Sequence, residues 1–188
     1  MRIISGLFKG KKLLQPKDSE TRPLKDLTKE SIFNIIRHSK KFQIDLESSI
    51  ILDLFSGVGS FGIECLSRGV KQVVFFENYK GVLPILKRNL KSLGKLNNYQ
   101  IIEKNIYNRS TFLNFKKKFN IIYLDPPFKD NNLDKLLLSI RQGAILDKNG
   151  IIIIHRHKNE IVSFDSKFNI IEEKKYGISK IIFLNFLN

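Results

Sequence analysis

The chain has 188 residues, 42% of them hydrophobic, with 33 Lys and Arg against 18 Asp and Glu, for a formal net charge of +15. That length suits one domain with a short appendage and supplies a sizeable core, while the charge points to a polyanion partner unless it only solubilises a Lys-rich surface. Its one cysteine, Cys65, excludes an internal disulfide and a cysteine-rich zinc site, and no apolar run approaches the roughly 20 residues that span a bilayer.

The N-terminus "MRIISGLFKGKKLL" lacks the apolar core of a signal peptide, so a reducing cytoplasm is the expected location. Residues 1–45 read as a basic extension. "RIISG" and "KGKKLL" are short strand-like runs around "LFKG", with Gly6 and Gly10 available for tight turning. "TRP" at 21–23 then precedes a helix over residues 24–37. Leu27, Ile32, Ile35 and Ile36 give it an apolar face and leave Lys25, Lys29 and Arg37 elsewhere on the circumference. A basic hairpin followed by a basic helix fits a nucleic-acid-binding arm; a solvated helix face is the bland alternative.

Residues 46–188 alternate strand and helix. "SIILDLF", "KQVVFFE", "YQIIEKN", "FNIIYLD" and "GIIIIHRH" are strands, read as continuous apolar runs because both sheet faces carry helices. Helices are expected through "GIECLSRG", around "VLPILKRNLKSLG", near "STFLNFKKK" and around "LDKLLLSIRQ". The tail "FNIIEEKKYGISKIIFLNFL" is two strand-like runs about a turn at Gly177, with no helix between, so they should pair antiparallel. The sum is an α/β, doubly wound, mostly parallel seven-stranded sheet with an antiparallel last strand. His155 and His157 share one side of a strand end, where solvated side chains are expected, and with His38 they offer no metal site.

Gly57, Gly59 and Gly62 spell G-x-G-x-x-G directly after the first strand. The spacing suits a loop that approaches an adenosine ligand, and Glu77 at the end of the second strand suits its ribose hydroxyls. Neither distinguishes a nicotinamide dinucleotide from S-adenosylmethionine, and a plain tight turn would show the same glycines. Asp53, just before the loop, favours the second: a carboxylate repels a pyrophosphate and attracts a sulfonium and an ammonium.

The fourth strand runs into Asp125-Pro126-Pro127-Phe128. Two prolines fix the backbone and remove donors, which leaves a stiff turn rich in acceptors. The Asp125 carboxylate and the Pro126 carbonyl could each take one N–H of an exocyclic amine, and Phe128 could stack on the base. A proline-terminated strand before a buried aromatic is the alternative.

These motifs resemble those of class I, Rossmann-like, S-adenosylmethionine-dependent methyltransferases acting on amino nitrogens. Over nearly its whole length the chain resembles the RsmD family, in the order "RIISG…KGKKL", "TRPLKDLTKESIFN", "LDLFSGVGSFGIECLSRG", "FFE", "LDPPF" and "YGISKIIF". The resemblance implies methylation of guanine N2 in small-subunit (16S) ribosomal RNA, by a monomer that uses no metal, on the RNA or the small ribosomal subunit. The same motif would also serve a DNA adenine or a glutamine side chain, and a non-catalytic assembly protein could keep the fold. The resemblance places S-adenosylmethionine against Asp53, Phe55, Gly57, Gly59, Glu77, Asn105 and Ile106, chemistry at Asp125 to Phe128, and RNA phosphates on Lys9, Lys11, Lys12, Arg22 and Lys29. The chain departs from the family's pattern at Ser5, Leu27, Lys29, Asn105 and the "HRH" of 155–157.

Overall fold

The computed structural model describes residues 1–16, 24–108, 111–113, 115–127, 130–162 and 164–187. Seven strands, β1 (Ile50–Leu54), β2 (Gln72–Phe76), β3 (Tyr99–Ile102), β4 (Phe119–Leu124), β5 (Leu146–His157), β6 (Phe168–Tyr176) and β7 (Ser179–Phe186), form one sheet in the order β3-β2-β1-β4-β5-β7-β6. The first five pair in parallel; β7 pairs antiparallel with both β5 and β6. Gly177, with φ +57°, occupies the tight turn between β6 and β7, which closes that hairpin.

Alternation along the strands divides the apolar side chains between two layers. Ile51, Val73, Phe75, Ile121, Tyr123, Ile151 and Ile153 face α1 (Asp26–His38), α2 (Ser60–Ser67) and α3 (Leu83–Lys91). Leu52, Leu54, Val74, Phe76, Ile122, Leu124, Ile152 and Ile154 face α4 (Leu133–Gln142). Both faces of the central strands are therefore dry, which is why they read as unbroken apolar runs. No helix among the described residues is long and apolar enough to cross a membrane.

The N-terminal residues turn tightly, with hydrogen bonds from Ile3 N–H to Lys11 O (2.9 Å) and from Gly10 N–H to Ile3 O (2.8 Å), around a single bridge between Arg2 and Lys12. Ile3, Leu13, Ile32, Phe33 and Ile36 are buried in the same core as α2 and the sheet. Two details differ from the sequence reading. In α1 the buried stripe is Thr28, Lys29, Ile32, Phe33 and Ile36, and Leu27 is 76% exposed: one residue is 100° of rotation, and the stripe is phased off Leu27. Of the short helix expected over 110–118, residues 110 and 114 lie outside the described residues, 111–113 form a turn, and 115–118 are not helical.

Candidate active site

The carboxyl ends of β1 and β4 lie side by side at the point where the strand order reverses, the position at which doubly wound sheets bind ligands. The loop leaving β1 is sharply folded. Phe55, Gly57 and Gly59 have φ of +59°, +56° and +87°. Gly59 N–H donates to Ser56 O (2.8 Å), and Ser56 Oγ donates to Asp53 O (2.6 Å). The three glycines serve different ends. A Cβ on Gly62 would lie 2.3 Å from Phe75 Cε1, so that glycine lets α2 close onto β2. A Cβ on Gly59 would lie 2.6 Å from Leu86 Cδ1, in the packing between α2 and α3. At Gly57 the nearest atom would be 4.0 Å away, so this glycine borders open space.

Asp53 is 1% exposed, and its Oδ2 accepts the Gly62 N–H at 2.9 Å. Burial pushes its carboxyl well above the usual carboxylate range, and the negative charges of Asp125 and Glu77 push it further. The free carboxylate assumed from sequence is thus a largely enclosed acid that holds the first turn of α2. Glu77 bridges the end of β2 to the loop. Its Oε2 accepts from Gly57 N–H (2.7 Å), and its Oε1 from Asn78 and Tyr79 N–H (2.9 and 2.8 Å). A carboxylate has about four acceptor sites, so Oε2 retains room for one more donor. Beyond β3, Asn105 is exposed and its Oδ1 accepts from Tyr107 N–H (2.9 Å), while Ile106 is 7% exposed in the core on the α4 side. A cavity of about 410 Å³ opens between Phe76, Ile102, Asn105 and Phe115. Phe55 sits near Tyr107, ring centroids 6.1 Å apart.

At the end of β4, Tyr123 Oη lies 3.4 Å from Asp125 Oδ2. Burial and the Asp125 and Asp53 charges push the Tyr123 phenol well up, so it stays a neutral donor. Its ring stacks on Phe61 at 4.0 Å between centroids, and Phe61 stacks on Phe33 of α1 at 5.3 Å. Asp125 Oδ1 lies 2.9 Å from His155 Nδ1, and His155 Nε2 lies 2.9 Å from Ser179 Oγ. On the opposite face, Arg156 is 1% exposed, donates to Pro127 O (3.2 Å) and Asp130 O (3.1 Å), and pairs with Glu160. The Pro126 carbonyl accepts no hydrogen bond from the described residues. Phe128 lies outside the described residues.

His155 and Arg156 are neighbours of the Asp125 turn that the sequence reading passed over: the strand end is buried, with His155 6% exposed, where solvated histidines were expected. The available signal was register. Leu124 pairs with Ile154, so the next residues, Asp125 and His155, come level. Among the proposed RNA contacts, Lys9 and Lys12 are exposed, and Lys11 is half-buried with its Nζ on Ser92 O. Arg22 lies outside the described residues. Lys29 is corrected: it is 0% exposed, donates to Arg2 O at 2.7 Å, and lies 3.5 Å from Glu64, itself fully buried. No phosphate can reach it. Glu64 also accepts from Ile4 N–H (2.8 Å), Ser5 N–H (3.0 Å) and Arg68 (2.9 Å). Lys29 and Glu64 thus fasten the N-terminal turn to α2.

The family described as Conserved hypothetical protein 95 matches residues 1–185. The chain belongs to this family, the RsmD family. YlbH of Bacillus subtilis is 33% identical over 185 residues, covering 96% of each chain. Ribosomal RNA small subunit methyltransferase D of Haemophilus influenzae is 33% identical over 184 residues, covering 95% of this chain and 90% of its own. The solved structure of yhhF from Escherichia coli is 26% identical with a TM-score of 0.81, covering 99% of this chain and 97% of that one. The similarity to RsmD-family members thus extends across both the N-terminal turn and the sheet.

Proposed function

We propose that this chain transfers a methyl group from S-adenosylmethionine to the exocyclic N2 of a guanine in small-subunit ribosomal RNA. The observation that carries the reading is the acceptor-rich turn Asp125–Pro126–Pro127 set level with the glycine loop at the strand-order reversal. Relatives named small-subunit methyltransferases supply the substrate class.

The residues fit the cofactor. Gly57 borders open space, Glu77 Oε2 has acceptor capacity for a ribose hydroxyl, and the cavity beside Asn105 would take the adenine. When bound, S-adenosylmethionine supplies an activated methyl group on a sulfonium. The protein's part is then alignment and charge. Asp125 Oδ2 and the Pro126 carbonyl hold the two N–H bonds of the amine and aim its lone pair; such positioning supplies much of the rate. As positive charge develops on nitrogen, the same two acceptors stabilise it, and Asp125 or water takes the proton. A base must leave its stack to reach this turn. Lys9, Lys11, Lys12 and Arg22 of the residue 1–45 extension would hold phosphates without reading sequence.

The test is labelled methyl transfer from S-adenosylmethionine to unmodified small-subunit RNA or subunits, followed by nucleoside analysis. N2-methylguanosine, lost in Asp125→Ala with cofactor affinity kept within a few-fold, is the expected result. Label in another base, or none, overturns the reading.

A further inference from the structure

The Asp125 carboxylate is held from behind. Arg156 binds the carbonyls of Pro127 and Asp130, and Asp130 N–H donates to Pro127 O at 2.8 Å, so the backbone of the turn is clamped from the α4 side. What the clamp leaves free is the Asp125 side chain, which can still rotate about its own bonds. His155 supplies the constraint: its Nδ1 is 2.9 Å from Asp125 Oδ1, on the other face of the sheet. Its Nε2 lies 2.9 Å from Ser179 Oγ. The imidazole is 8% exposed and the Asp125 side chain 21%, so His155 is the more enclosed partner, and the other oxygen, Oδ2, has the Tyr123 hydroxyl 3.4 Å away.

The chemistry of the three groups fixes their roles. A carboxylate is an acceptor only, so the imidazole proton must be on Nδ1 for the 2.9 Å contact to be a hydrogen bond. For a neutral ring Nε2 is then an acceptor, and the Ser179 hydroxyl, which can donate or accept, donates to it. His155 thus occupies Oδ1, while Oδ2, which the Tyr123 hydroxyl approaches at 3.4 Å, keeps acceptor capacity for a ligand.

We infer that His155 is the positioning residue for Asp125: with Ser179 fixing its tautomer, it occupies Oδ1 and turns Oδ2 toward the amino nitrogen that is to be methylated. The inference rests on the methyltransferase reading above. It does not require His155 to touch the substrate or to move a proton.

Two measurements test it. The first needs no catalysis: ¹⁵N imidazole spectra of the free protein should show His155 as the Nδ1–H tautomer, and that preference should weaken in Ser179→Ala. The second compares His155→Ala with His155→Asn, whose amide nitrogen takes the place of Nδ1. In His155→Ala, kcat should fall about 10- to 100-fold, with S-adenosylmethionine Kd and RNA KM moving less than about threefold. His155→Asn should recover most of kcat. An Nε2–H tautomer in the wild type overturns the inference, as does a His155→Asn variant that folds normally and is as slow as His155→Ala. A purely structural role would lower Tm in both variants and would not split kcat from the two binding terms. If the wild type shows the Nδ1–H tautomer and yet methylates no RNA, the methyltransferase reading has failed and the inference falls with it; the hydrogen-bond geometry would stand.

Discussion

Gly6→Ala should detach the N-terminal turn from α2. Gly6 has φ +83°, and a Cβ there would lie 1.8 Å from Ser67 O, 2.3 Å from Ser67 C and 2.8 Å from Arg68 N. Those are backbone atoms at the end of a helix, so the turn itself has to move. The left-handed conformation costs a non-glycine residue roughly 1–2 kcal/mol before any clash. Moving the turn breaks the bonds that seat it: Leu7 N–H to Ser67 O (2.7 Å), Phe8 N–H to Ser67 Oγ (3.0 Å), Ser67 Oγ to Ser5 O (2.6 Å), and Ile4 and Ser5 N–H to Glu64. At about 0.5–1.5 kcal/mol per hydrogen bond, breaking two or three of these adds roughly 1–4 kcal/mol. A total near 4 kcal/mol is a large part of a typical folding stability of about 5–15 kcal/mol. For a chain of this size it corresponds to a fall in Tm of about 8–16 °C. Urea unfolding followed by circular dichroism reads the free energy, and a thermal melt reads the shift. Gly6→Ala within about 0.5 kcal/mol of wild type would refute the claim that this turn is seated against Ser67.

Lys29→Met should lower Tm by several degrees, because it removes the cation beside the buried Glu64 and leaves the Arg2 carbonyl unmet, at roughly 1–3 kcal/mol. It should leave the salt dependence of RNA binding unchanged, whereas Lys9→Gln with Lys12→Gln should flatten the slope of log K against log salt by about 0.7 for each phosphate no longer neutralised. Asp53→Asn keeps an acceptor for the Gly62 N–H and removes the buried acid. Because burial raises the Asp53 carboxyl above its unfolded value, the folded chain holds that proton after the unfolded chain has released it. Wild-type stability therefore falls as pH rises above the ordinary carboxylate range, and the amide variant avoids that fall. The Tm of Asp53→Asn minus that of wild type should grow as pH rises above the ordinary carboxylate range of about 4; a flat difference would show that Asp53 is not perturbed. Gly57→Ala should weaken S-adenosylmethionine binding with little packing cost beyond its positive φ, whereas Gly59→Ala should destabilise the fold through Leu86 and Ile63, a contrast read by calorimetric titration and thermal melts.

The sheet was legible because its signal is local and repeated. Each parallel strand must be apolar on both faces, so "IILDL", "QVVFF" and "FNIIYL" announce themselves, and the chemistry-bearing residues follow at their ends. What escaped depends on partners from other elements. Nothing within "DLTKESIFNIIRH" says that Lys29 faces inward, because its counter-charge is Glu64 of α2. A lysine on an amphipathic helix is normally solvated, and only the buried carboxylate reverses that expectation. His155 was misread for a related reason. A histidine ending an apolar strand has no local cue to its burial; the cue is the parallel register with β4 and the antiparallel return of β7, which bring Asp125 and Ser179 to its two nitrogens. The burial of Asp53 was not legible either, since it is a property of the packed α2 and β2 and not of the motif.

The distribution of charge ties the site to its proposed substrate. The chain carries +15 overall, yet the ends of β1, β2 and β4 bring together Asp53, Glu77 and Asp125, close enough for the last two to act electrostatically on the first. A cleft of this kind repels phosphate and favours cations and N–H donors, while the basic exterior attracts a polyanion. On the proposed reading the two fields divide the RNA: phosphates stay at lysines such as Lys9 and Lys12, and only an uncharged base carrying an amino group enters beside the sulfonium. On that reading a dinucleotide would have to place its pyrophosphate near the Glu77 and Asp125 carboxylates, which favours a cationic cofactor at the glycine loop, whereas Asp53, enclosed and pushed toward its protonated form, contributes little to that field.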